Sequence, residues 1–116
     1  MRALIVASLG LNIAVLVPVC FGLITRAGWT LAAYGPETPA RGILLSVYLA
    51  ILVGSAGLLL KPVPAMVAAL LLVQIAYKLT TPFTVGTLAN PVVMSNLAIA
   101  AFHTVTVAVI LKSAGQ

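Results

Sequence analysis

Isolated charges cut this chain into long uncharged apolar runs, and the lengths of those runs limit what it can fold into. Ala3 to Thr25 is 23 residues without a charge, and Gly42 to Leu60 is 19. At about 1.5 Å per helical residue, runs of about 20 residues match the ~30 Å hydrocarbon core of a bilayer. Composition excludes a water-soluble alternative. Hydrophobic residues make up 63% of the 116 and charged residues 6%, where soluble domains carry about a quarter. Seven charges cannot clothe a soluble core, so lipid must cover most of the surface. Each span must then be helical, because an open strand edge in hydrocarbon leaves its backbone polar groups unbonded.

The expected fold is an all-α integral membrane protein, a single domain over 1–116 with four transmembrane helices at about 3–25, 39–60, 64–80 and 91–111 and short connections. The first run would be cut as a signal peptide only if a cleavage site followed it, and none does promptly. Val17-Pro18-Val19-Cys20 is a poor lipobox, with proline where a small or apolar residue is wanted. Thr38-Pro39 and Asn90-Pro91 each read as a capping residue followed by proline at the first helical position. Lys61-Pro62-Val63-Pro64 is a breaker, since proline has no amide hydrogen and pushes the residue before it out of helical geometry. Helices two and three should therefore form an antiparallel hairpin. Helix three is short, with Lys78 expected to snorkel at its end, and Thr81 to Ala89 reads as a loop. Arg26 to Arg41 reads as the one sizeable polar loop, where Glu37, the only acidic residue, is expected beside a helix N-terminus.

The formal charge of +5 does not point to nucleic acid. Arg2, Arg26, Arg41, Lys61, Lys78 and Lys112 stand singly near the ends of apolar runs, where basic side chains reach for headgroups. With four spans, Arg2, Lys61 and Lys112 share one face of the membrane and Arg26, Arg41 and Lys78 the other. Three against three leaves the orientation undecided by charge, although the amino terminus and the aromatic residues Trp29, Tyr34 and Phe83 favour cytoplasmic termini. A balanced count also fits a chain that inserts both ways and pairs as an antiparallel homodimer. Cys20 is the only cysteine, so no intrachain disulfide exists, and it reads as a small apolar filler.

Two sets of residues are candidates for function. Gly42, Ser46, Ala50 and Gly54, continued by Gly57, form a small-residue stripe on helix two. Such a face lets another backbone come close, whether helix one, a helix-three face of Ala65, Ala69 and Ala76, or another chain. The second set is polar and intramembrane: His103 and Asn96 on one face of helix four, Gln74 and Lys78 on one face of helix three, and Tyr48 on helix two. Ionisable residues at that depth are functional candidates because burying them costs free energy. If the faces of helices three and four meet, they form a polar cleft opening toward Glu37 and Arg41, with Ser8 and Asn12 contributed by helix one. Plain interhelical hydrogen bonding at about 0.6 kcal/mol each would explain the same residues.

Paired carboxylates, an activated nucleophile, a glycine-rich phosphate loop and metal-ligand spacing are all missing from the sequence, so neither an enzyme nor a metal or other cofactor is expected. Haem would need a second ligand beside His103, the only histidine. Small multidrug transporters are similar in size and helix count, but the carboxylate they carry inside the first helix has no counterpart between Ala3 and Thr25. Small fluoride channels share the size and balanced charge, but not their asparagine and threonine-phenylalanine-serine signatures. Two functional expectations stand: an accessory or assembly subunit packed against a larger membrane complex, and a homo-oligomeric small transporter or channel using the polar cleft.

Overall fold

The computed structural model describes residues 1–114 and is all-helical among them. Four helices are long and apolar enough to cross a membrane: α1 (Arg2–Thr25), α3 (Pro39–Leu60), α4 (Pro64–Val85) and α5 (Pro91–Ala114). A short helix, α2 (Gly28–Tyr34), lies between the first two. The bundle is 48 Å along its longest axis, which carries its ends beyond the ~30 Å hydrocarbon core.

The buried positions explain the bundle. On α1 they include Ile5, Leu9, Asn12, Leu16, Cys20 and Leu23; on α5 they include Val93, Asn96, Ala100, His103, Val107 and Ile110. These rows advance in steps of three and four, close to the 3.5-residue repeat that keeps one seam facing its neighbours. Connections of three and five residues, at Lys61–Val63 and Gly86–Asn90, make successive spans antiparallel. α1 packs closely along α3 and α4 along α5, and these two pairs meet through thinner α1/α5 and α3/α4 seams.

The proline starts are as expected. Thr38 Oγ1 accepts the Arg41 amide at 3.3 Å, and Asn90 Oδ1 accepts the Val92 amide at 2.8 Å. Three expected element bounds need correction. The segment between Arg26 and Arg41 is partly helical. Its α2 is held by Arg41, whose Nη1 donates to Gly35 O at 2.9 Å and whose Nη2 donates to Thr30 Oγ1 at 2.6 Å. Helix three does not stop at residue 80 but runs on to Val85 through Pro82. Proline cannot donate to the Lys78 carbonyl one turn back, and the Thr81 hydroxyl does so instead at 2.7 Å. The helix then ends where Gly86 takes the left-handed conformation (φ 86°) and returns its amide to Pro82 O. The last helix likewise passes residue 111 to reach Ala114.

Lys78 does not snorkel outward: it is buried inside the bundle at 5% exposure. Glu37 does stand beside the α3 N-terminus, immediately before the Thr38 cap, and its carboxylate pairs with Arg26 Nε at 2.7 Å on the surface. The small-residue stripe does not pack within the chain. Gly42, Ser46, Ala50 and Gly57 are exposed, as are Ala65, Ala69 and Ala76, and of the stripe's three glycines only Gly54 has a side chain, Leu70, close to where a Cβ would stand. α3 turns Arg41, Tyr48, Ile51 and Ser55 inward instead. At about 100° per residue, a four-residue repeat drifts around the helix while a seven-residue repeat nearly closes, so the larger 41–48–55 row forms the inner face.

Candidate functional site

The interior of the bundle changes character along its axis. On the terminal side, toward the two chain ends, α1, α4 and α5 close on one another through Ile5, Leu9, Val67, Ala68, Leu71, Val107 and Ile110. Toward the opposite face, the loop side, the centre holds Lys78, Asn96 and three tyrosines.

Ser8 and Thr106 hydroxyls meet at 2.7 Å and tie α1 to α5 inside the terminal half. One turn away, Asn12 is a junction. Its Nδ2 donates to Ser55 Oγ on α3 at 3.1 Å, and its Oδ1 lies 2.9 Å from His103 Nε2 on α5. With the amide nitrogen committed to Ser55, the oxygen must accept, which assigns the imidazole proton to Nε2. Nδ1 of a neutral ring is then a bare acceptor. It has no partner among the described residues, and His103 is fully buried. Nearer the loop side, Lys78 Nζ donates to Asn96 Oδ1 at 3.1 Å and sits 5.1 Å from the centre of the Tyr77 ring, a cation–π distance. The Tyr77 hydroxyl is buried without a partner among the described residues. Gln74, at 1% exposure, donates weakly to Leu70 O of its own helix at 3.4 Å.

Of the residues singled out from the sequence, Lys78 and Asn96 are bonded together, and His103 joins Asn12 instead of the α4 face. Tyr48 is buried and packs edge to face on Tyr34, ring centres 6.0 Å apart. Gln74 bonds to none of them, and Glu37 stands outside the interior. Burial and the neighbouring Tyr48 push the Tyr34 phenol above its ordinary pKa, so it remains a hydroxyl donor.

Ser55, Thr106 and the α2 residues Trp29 and Thr30 are absent from the set that the sequence singles out. Ser55 lies seven after Tyr48 and Thr106 three after His103, a spacing that places them on the same inner faces. Trp29 carries no such periodic signal. Its ring lies against Gly22, in space a Cβ there would occupy, and this contact seats α2 on the end of α1.

Two cavities flank the Tyr34–Tyr48 pair beneath α2. One, about 180 Å³, lies between α1 and α5 and is bordered by Lys78, Asn96, Ser95, Trp29, Tyr34 and Tyr48. The other, about 400 Å³, lies between α3 and α4 and reaches Tyr77 and Asn90. No group of three or more metal-ligating side chains occurs among the described residues. Comparison with protein families, with curated proteins and with solved structures finds no match.

Proposed function

We propose that the protein is a small membrane transporter or channel that passes a polar solute along the inner seam of its bundle. The observation that supports this reading is the file of buried polar side chains running from Asn96 and Lys78 through His103, Asn12 and Ser55 to Ser8 and Thr106. On α5 alone Asn96 to Thr106 covers about 15 Å, half the hydrocarbon thickness. Hydrogen bonding between helices needs partners but not a lysine, whose charge is costly at this depth and which a bundle made only to hold together would lack. The apolar plug of the terminal half closes the file at one end, and the cavities beneath α2 open it at the other.

Reconstitution in liposomes tests the reading. Flux of the transported solute falls at least several-fold in His103→Leu and in Lys78→Leu. Undiminished flux in both variants removes the seam from the pathway and the reading with it.

The same reading puts the termini in the cytoplasm. With Lys78 inside the bundle, Arg2, Lys61 and Lys112 at the terminal face outnumber Arg26 and Arg41 at the other, the distribution that cytoplasmic termini favour. A cysteine introduced by Ser113→Cys would then resist impermeant thiol reagents in intact cells.

A second reading, an accessory subunit of a larger complex, is favoured by the outward small-residue stripe of α3. Its end borders a surface groove of about 580 Å³ lined by Gly54, Gly57, Leu58, Met66 and Leu70. Co-purification of a partner in mild detergent, lost in Gly54→Leu, would support it over the first.

A further inference from the structure

We propose that Lys78 is the anion-binding centre of a site for a small amphipathic monocarboxylate, lodged between α1 and α5 beneath α2. This inference rests on the solute-handling reading and names the class of solute. It begins with an unbalanced charge. Lys78 is 5% exposed, and the chain's single carboxylate side chain, Glu37, is engaged with Arg26 at the surface. An ammonium has three N–H donors, and among the described residues one acceptor, Asn96 Oδ1, meets it, with the Tyr77 ring alongside. A buried cation calls for a counter-charge, and no described residue supplies one.

The cavity bordered by Lys78 sets the rest of the ligand. Its polar groups are few: the Lys78–Asn96 pair, Ser95 and the two tyrosines, while Val15, Leu16 and Val19 of α1 make an apolar wall. At about 180 Å³ it slightly exceeds the ~150 Å³ apolar cavity known to take up benzene. One small ring or a short chain therefore fits, with its charged end at Lys78. One cation selects one negative charge. Arg41, the other buried basic side chain among the arginines and lysines described, has its guanidinium committed to Thr30 and Gly35, so a second anionic oxygen group such as that of a phosphate dianion would go unmatched.

Trp29, the only tryptophan, borders the cavity and gives the readout. With the full chain in phosphatidylcholine nanodiscs, benzoate changes the Trp29 emission saturably. Lys78→Met weakens that response by about tenfold or more. Benzyl alcohol, which has the same ring without the charge, binds the wild-type protein about tenfold more weakly or worse. Equal responses to benzoate and benzyl alcohol in the wild-type protein overturn the proposal without recourse to any variant. So does an unchanged benzoate response in Lys78→Met, or displacement of benzoate by equimolar chloride. Saturable, Lys78-dependent binding without flux in liposomes upholds the site while sinking the transport reading. Flux that depends on His103 without benzoate binding does the reverse.

Discussion

The terminal and loop halves of this bundle are built from the same four helices, yet their centres are filled differently: apolar side chains meet in one, while a lysine, an asparagine and tyrosines border the cavities of the other. In the terminal half, Leu9, Val67 and Leu71 are fully buried, and the contact of Ser8 with Thr106 satisfies both hydroxyls. In the loop half the space between the pairs is occupied by long or aromatic side chains, Tyr48, Tyr77 and Lys78, that leave cavities on both sides. The difference follows from side-chain shape and polarity. Leucine and valine at 3.5-residue spacing interdigitate, whereas a lysine and two tyrosines carry polar tips that apolar neighbours cannot satisfy. In lipid, packing is what holds helices together, so truncations in the terminal half should cost more stability than truncations in the loop half.

Truncation tests the contrast most strongly. Leu9→Ala or Leu71→Ala should cost about 2–5 kcal/mol in reversible unfolding from bilayers or mixed micelles. Leu16→Ala, beside an existing cavity, should cost less than either, near or below the ~2 kcal/mol floor of that range. Equal losses at the three positions would abolish the distinction. Lys78→Met should change sign, leaving stability unaltered or raising it by up to about 4 kcal/mol, since it removes a buried charge that lacks a counter-ion. A clear loss in the same assay would make Lys78 a strut instead of a binding group. Joint replacement of Ser8 and Thr106 by alanine should lower stability by about 0.6 kcal/mol, the usual worth of one interhelical hydrogen bond. Last, Gly22→Ala should displace the Trp29 ring and shift its emission. Unchanged emission would mean that α2 is not seated on α1 through that contact.

The spans are legible in the sequence because bilayer thickness and the need for internal hydrogen bonds leave no other solution for runs such as Ala3 to Thr25. The beginnings at Pro39 and Pro91 are equally legible, since Thr38 and Asn90 advertise their caps locally. The end of α4 is not. Pro82 is a strong breaker by itself, and its tolerance depends on Thr81 covering the Lys78 carbonyl, a local substitution that residue types do not announce. The candidate site is partly legible. A lysine and an asparagine eighteen residues apart, on facing helices joined by a short connection, are placed on meeting faces by periodicity alone. His103 stands out as unusual, but its choice of Asn12 over Gln74 depends on which seams close tightly, which is decided by the packing of all four helices together. The stripe on α3 misleads about intrachain packing because small residues permit close approach without requiring it. The 41–48–55 row, with Tyr48 filling space against Leu16 and Cys20, sets the helix's rotation instead.

One detail of α2 bears on how the molecule can move. Thr30 takes a hydrogen bond from Arg41 at the head of α3, and the Ala33 carbonyl takes another from Asn90, just ahead of α5, at 2.9 Å. The seven-residue rod is thus fastened unequally, to the α1/α3 pair by both Arg41 bonds and the Trp29–Gly22 contact and to the α5 side by Asn90. Should the α1/α3 and α4/α5 pairs spread at this end, the Asn90 bond shears and the rod, with Trp29 upon it, stays with α1 and α3.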